Sequence, residues 1–262
     1  MARSKVRDLS SYRESLGWSQ RRRLQINPAR AQRIRNEARN LGAKTWQYVR
    51  DKRNGKISLA TMLPFDPRIT IVEVLRWTFE EPKEIEHIGM VGGSEREIAG
   101  LLERSSRTVS VASKYSPQIR RFTAAHELGH LILHNAVQSF REAPVTDDRL
   151  QRRRTPIEME ADLFAAEYLM PSALVRGFYK KSFGEAIEAS SIDDEIAFYF
   201  VGGHSPSTLR SMELLELAKI VAQTPPFTTP DAKPLTEIFG VSAFAMAIQL
   251  LDLELVTRRQ TS

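Results

Sequence analysis

A histidine–glutamate–histidine pattern marks the middle of the chain. His126, Glu127 and His130 form an H-E-x-x-H sequence inside an apolar run that is compatible with a helix. Four residues of a helix advance about 400°, so the two histidines project about 40° apart, one turn apart along the axis. Two imidazoles placed in this way can bind one metal ion, while Glu127, about 100° round from His126, can flank the ion without ligating it. The pattern therefore predicts a zinc hydrolase in which a carboxylate acts on a water molecule.

A second helix is predicted to supply the remaining ligand. The run from Pro156 to Pro171 contains the apolar stretch 163–166, and proline suits both the first turn of a helix and the position just beyond its end. Glu158 and Asp162 share one face, so Glu158 can complete the metal site while Asp162 accepts a hydrogen bond from the far nitrogen of a histidine. Glu160, about 160° from Glu158, is the alternative third ligand. These carboxylates could also serve only to stabilise the start of the helix through its dipole.

Two further side chains near the pattern have possible chemical roles. His134 lies one more turn along the first helix, about 80° from His126, and is either a metal ligand or a helix-end packing residue. Tyr115 precedes that helix, and its phenol could stabilise a tetrahedral oxyanion or could be structural.

Two strands are expected ahead of the active-site helix. Residues 97–102 and 107–112 each alternate or cluster apolar side chains, and a polar turn joins them. Zinc peptidases commonly bind substrate as an added strand at the edge of a sheet. We therefore expect this pair of strands to bind the substrate backbone.

The two predicted helices resemble segments of a known family. The sequences RFTAAHELGHLILH and EMEADLFAAEYLMP resemble the ImmA/IrrE family of bacterial and phage metallopeptidases, and the similarity extends from about residue 95 to Pro171. Residues 234–242 are more weakly similar to the closing helical segment of that family. The resemblance implies a gluzincin-like fold with a short twisted sheet, an active-site helix and a ligand helix. It also implies one zinc ion on His126, His130 and Glu158, with Glu127 as the base, and cleavage of a repressor or another regulatory protein.

Charge is distributed unevenly along the 262 residues. The net charge is +6, yet the first 60 residues hold sixteen Lys and Arg against four Asp and Glu, with the densest cluster at Arg21-Arg22-Arg23. Such a basic arm is predicted to meet nucleic acid, an acidic partner protein or the acidic body of the chain itself. A second basic cluster, Arg152-Arg153-Arg154, could select an acidic substrate segment or be solvated charge.

The composition narrows the class of protein. The chain has no cysteine, which excludes disulfides and thiolate ligands, so a metal site must use histidine and carboxylate. No apolar run approaches about 18 residues, and the basic N-terminus lacks the apolar core of a secretory signal. A cytoplasmic protein with no membrane partner is therefore expected.

The sequence predicts an α+β protein with three regions. Residues 1–60 form a basic, mainly helical arm, 61–175 a zincin-like metallopeptidase core, and 176–262 a helical region that ends in a helix-turn-helix-like segment. Within the arm, a helix is expected from Pro28 to about Arg53, and Leu235 to Arg258 is expected to form two short helices around Gly240. The alternative function is a DNA-binding transcriptional regulator whose metal site is structural or sensory.

Overall fold

Helices predominate, and one small sheet lies among them, in a computed structural model of the protein. The structure describes residues 26–56, 58, 60–85, 98–135, 139–142, 155–226 and 232–258, with backbone only at residue 60 and at 139–142. The α-helices are α1 Pro28–Lys52, α2 Pro67–Ile69, α3 Pro117–Leu133, α4 Pro156–Leu169, α5 Ser172–Phe183, α6 Asp194–Tyr199, α7 Pro206–Ser211, α8 Leu214–Gln223, α9 Leu235–Phe239 and α10 Ala243–Asp252. The strands are β1 Thr78–Glu80, β2 Gly100–Glu103, β3 Thr108–Val111, β4 Ser139–Glu142, β5 Ile187–Glu188 and β6 Val256–Thr257. The predicted α+β class is confirmed.

Four strands form the main sheet in the order β1-β3-β2-β4. The predicted pair, β2 and β3, is antiparallel with Leu102 opposite Val109, and both of these side chains are fully buried. β1 adds to β3 in parallel, and β4 adds to β2 in antiparallel orientation. β2 and β3 are therefore interior strands. The expectation that this pair offers an edge to substrate is wrong, because β1 and β4 cover both of its outer sides.

The active-site helix α3 and the ligand helix α4 pack closely against each other. Each begins with a capped first turn, in which the hydroxyl of Ser116 accepts from the amide of Ile119 and the hydroxyl of Thr155 accepts from the amide of Glu158. Gly129 lies at their contact, where an added Cβ would meet the backbone Cα and O of Ala161 at 3.1 Å. A glycine at this position thus sets the short separation between the two helices.

The N-terminal helix α1 packs on the ligand helix, with the bounds that the sequence predicted. The side chain of Asn27 caps it by accepting from the amide of Ala29, and its buried face comprises Ile34, Ala38, Leu41 and Thr45. The hydroxyl of Thr45 bonds that of Thr70, which in turn bonds Tyr168 on the ligand helix at 2.5 Å. Part of the predicted basic arm therefore belongs to the core, whereas Arg21-Arg22-Arg23 lies outside the described residues, as does Arg152-Arg153-Arg154.

The C-terminal pair of helices turns at Gly240 as expected and contacts α3 and the end of α4. Gly240 adopts a left-handed conformation at φ 61°, and its carbonyl accepts a hydrogen bond from Arg121 of the active-site helix. The side-chain amide of Gln249 donates to the backbone carbonyl of Met170 at the end of the ligand helix. Strands β5 and β6 form a two-stranded parallel sheet, which pairs residues 187–188 with residues 256–257. The division into three regions stays a prediction.

Candidate metal centre

Three side chains from two helices converge at one buried point. His126 and His130 of α3 are fully buried, and Glu158 stands in the first turn of α4. The Nε2 atoms of the two histidines lie 2.9 Å apart. The carboxylate of Glu158 lies 3.2 Å from Nε2 of His126 and 3.5 Å from Nε2 of His130. One potential ligand atom from each residue falls within 4.8 Å of the others. The three residues could therefore hold a metal ion, with two nitrogens and one carboxylate as donors.

The protonation states of the histidines suit ligation. Burial is the main cause that lowers the pKa of His130 to about 4, which leaves the imidazole neutral and its lone pair available. His126 Nδ1 lies 3.0 Å from the carboxylate of Asp162, to which it donates, so Nε2 carries the lone pair on the side of the cluster. The structure thus places Asp162 where the sequence predicted, against the far nitrogen of a histidine.

Glu127 lies beside the cluster, against the start of β2. It is fully buried, and a Cβ added to Gly100 would overlap its Oε1 and lie 2.6 Å from Thr123 Cγ2. Sequence reasoning assigned no role to Gly100, since a single glycine in a strand has many explanations. Only the packing shows that the missing side chain makes room for the carboxylate.

Glu160 and His134, each considered as a ligand from sequence, instead contact one another. His134 Nδ1 lies 3.0 Å from Nδ1 of His130, and His134 Nε2 lies 3.0 Å from Oε2 of Glu160. Both Glu160 oxygens accept from Arg30 of α1, at 2.9 and 2.5 Å. The hydrogen bond from Arg30 is the largest cause that lowers the pKa of Glu160, and burial lowers the pKa of His134. Among the described residues, the cluster of potential ligands contains His126, His130 and Glu158 alone.

Arg104, just after β2, ties the sheet to the end of the active-site helix. Its Nη2 donates to the carbonyls of His130, Leu131 and His134 at 2.9, 3.2 and 3.1 Å. These carbonyls belong to the last turn and end of the helix, where the negative end of the helix dipole makes a cation favourable. The guanidinium therefore fixes the turn that carries the second histidine. Sequence reasoning missed this residue, because nothing in its local pattern distinguishes it from a surface arginine.

Two predicted roles concern Tyr115 and the basic arm. Tyr115 is half-buried in the turn between β3 and α3, with the ammonium of Lys114 5.5 Å from its ring centre, and its oxyanion role stays a prediction. In the arm, Arg30 and Arg39 contact Glu160 and Glu167 of the chain's own ligand helix. Nucleic-acid binding by residues 1–60 also stays a prediction. Across the described ranges, no helix has both the length and the apolarity to cross a lipid bilayer.

Comparison with known proteins bears on the segment that holds the cluster. Residues 76–190 match the family model Peptidase_M78, described as the IrrE N-terminal-like domain. The comparison with curated proteins gives no significant match. The matched segment spans all four strands of the main sheet, the active-site helix and the ligand helix. The family resemblance seen in the sequence motifs is thereby confirmed, because residues 76–190 are similar to the IrrE N-terminal-like domain of a metallopeptidase family.

Proposed function

We propose that the protein is a zinc-dependent endopeptidase that cleaves a regulatory protein, such as a transcriptional repressor. The observation that carries the proposal is the convergence of His126, His130 and Glu158 within 4.8 Å, next to the buried carboxylate of Glu127. The match to a peptidase family supports the reaction class. The choice of a repressor as substrate, and with it a cytoplasmic location, is supported by the ImmA/IrrE resemblance.

The donor set suits a catalytic zinc ion better than a structural one. Structural zinc is almost always held by four protein ligands, whereas catalytic zinc commonly has three and leaves one position for water or substrate. The described cluster offers three ligands, two imidazoles and one carboxylate. Asp162 orients one imidazole through Nδ1, as outer partners of catalytic zinc ligands do.

Glu127 is the residue that moves the proton. When bound, zinc polarises a carbonyl and lowers the pKa of a water molecule towards about 7. Glu127 accepts a proton from the attacking water and delivers it to the leaving amine of the cleaved peptide bond. Its burial against Gly100 restricts the rotamers of the side chain, which favours one fixed orientation for proton transfer.

The metal site is tested by elemental analysis of untagged protein. Wild type is expected to hold about one zinc ion per chain, and His126→Ala and Glu158→Ala should each lose most of it, because two ligands bind zinc far more weakly than three. A Glu160→Ala variant serves as control for the third ligand. Loss of zinc in Glu160→Ala but not in Glu158→Ala would transfer the ligand role to Glu160.

The peptidase activity is tested with Glu127→Gln, which should retain zinc and fold but lose cleavage by orders of magnitude. Cells that express wild type or the variant are compared by mass spectrometry of protein N-termini. New N-termini that depend on Glu127 identify the substrate. If wild type and variant give the same set of N-termini, the peptidase proposal is contradicted, and a DNA-binding regulator with a structural or sensory metal becomes the better explanation.

A further inference from the structure

A continuous chain of contacts joins the second histidine of the metal centre to the N-terminal helix. It begins at His130 Nδ1, passes through both ring nitrogens of His134, and reaches the carboxylate of Glu160. It ends at Arg30, whose planar guanidinium donates one hydrogen bond to each oxygen of that carboxylate. The His134 side chain is 8% exposed and that of Glu160 17%, so the chain is largely shielded from water.

With a neutral imidazole at His134, the hydrogen bonds of this chain can run in only one direction, because the carboxylate of Glu160 can only accept. In that state His130 Nδ1 bears the proton and donates to His134 Nδ1, because a neutral imidazole has one donor and one acceptor. His134 Nε2 then bears its own proton and donates to Glu160 Oε2, 3.0 Å away. The carboxylate accepts this bond and both bonds from Arg30, so each donor meets an acceptor. The arrangement thus selects the tautomer of His130 that presents its lone pair to the metal.

We propose that Arg30, Glu160 and His134 are positioning residues that orient His130 for metal binding, so that the docked N-terminal helix forms part of the metal centre. The inference rests on the proposed zinc site. His126 has its own outer partner in Asp162, and the Arg30 chain provides the equivalent support for His130. Removal of outer partners of metal ligands typically weakens metal binding by about 10–100-fold.

The direction of the effect separates positioning from simple electrostatics. Removing the positive charge of Arg30 leaves Glu160 uncompensated, and an added negative charge near the site would by itself strengthen the binding of a cation. Positioning predicts the opposite, because Glu160 loses its anchor and the rings of His134 and His130 lose their fixed orientation. We expect Arg30→Ala to weaken zinc binding about tenfold.

The experiment measures the zinc dissociation constant by competition with a chromophoric chelator for full-length wild type and variants. Arg39→Ala is the matched control, since Arg39 joins the same two helices through an ion pair with Glu167 at 2.7 Å, away from the metal ligands. Arg30→Ala should lose zinc affinity, whereas Arg39→Ala should keep it. Thermal unfolding of the zinc-free proteins checks that both variants fold.

A double substitution gives the decisive test of the chain. In a His134→Ala background the connection is already broken, so adding Arg30→Ala should produce no further loss of zinc affinity. Equal losses for Arg30→Ala and Arg39→Ala, unchanged or tighter binding in Arg30→Ala, or additive losses in the double variant would each overturn the inference. Failure of wild type to bind zinc would instead overturn the proposed function.

Discussion

Single residues around Glu127 set the position of its carboxylate, the proposed catalytic base. Glu127 is fully buried, and the space that its Oε1 occupies exists because Gly100, the first residue of β2, has no side chain. An added Cβ would overlap Oε1 of Glu127, the far end of a flexible side chain, and would lie 2.6 Å from Cγ2 of the buried Thr123, so both side chains would have to shift. None of the candidate metal ligands His126, His130 and Glu158 is among the three nearest contacts of the added Cβ.

We therefore expect Gly100→Ala to separate metal binding from catalysis. Zinc content should remain that of wild type, while cleavage falls about 10²-fold, the cost typical of a 1 Å misplacement of a catalytic group. The measurement is the yield of Glu127-dependent N-termini together with elemental zinc. Gly177→Ala, where an added Cβ meets nothing within 4 Å, is the control and should cleave normally.

At the level of elements, the distance between the active-site and ligand helices decides whether three ligands can meet. Gly129 permits their contact, since Ala161 Cα and O and Phe164 Cβ would lie only 3.1–3.2 Å from an added Cβ. These atoms belong to the backbone and the stem of a buried helix, which cannot rotate away. Replacing a helical glycine by alanine otherwise favours a helix by about 1 kcal/mol.

Two glycine-to-alanine changes in helices are thus expected to act in opposite directions. Gly129→Ala should lower the melting temperature and weaken zinc binding, because it forces the two helices apart. Gly42→Ala in α1, where nothing lies within 4 Å, should raise stability by up to about 1 kcal/mol and leave zinc binding unchanged. Thermal unfolding with chelator competition measures both. If the Gly129→Ala variant is more stable than wild type and binds zinc normally, the two helices can accept the added methyl group without moving apart, and this prediction is wrong.

At the scale of the whole molecule, segments far apart in sequence complete one core. The N-terminal helix buries Ile34 and Ala38, and the C-terminal pair buries Phe239, which lies edge-to-face with Phe178 at 5.7 Å. Hydrogen bonds accompany this packing. One example is the hydroxyl of Tyr179, which donates to the backbone carbonyl of Leu255 at 2.7 Å. The regions on either side of the catalytic segment therefore contribute to its stability.

Phe239→Ala is expected to destabilise the whole protein by about 3–5 kcal/mol, the usual cost of removing a buried aromatic ring. Denaturant unfolding should show one shifted transition rather than loss of a C-terminal unit alone. Phe198→Ala is the matched control, because its ring is 83% exposed and surface changes usually cost within about 0.5 kcal/mol. A separate early transition in Phe239→Ala would indicate that the C-terminal helices unfold independently.

The sequence by itself determined the local chemistry of this protein. The spacing of His126, Glu127 and His130 fixes their relative directions, because helix geometry relates residues four apart wherever a helix forms. The same periodicity predicted both helices and the shared face of Glu158 and Asp162. The prolines at 156 and 171 also predicted the bounds of the second helix, which is observed at Pro156–Leu169.

Only the tertiary structure decided which side chains from distant segments meet. Glu158 and Glu160 were both candidate ligands from the sequence. The structure distinguishes them, because Arg30 of α1 and His134 at the end of α3 both bond to the carboxylate of Glu160. The interior position of β2 likewise depends on β4, which joins it from the connection between the two helices. Local pattern specifies direction around one element, whereas contacts between elements depend on packing that involves the whole chain at once.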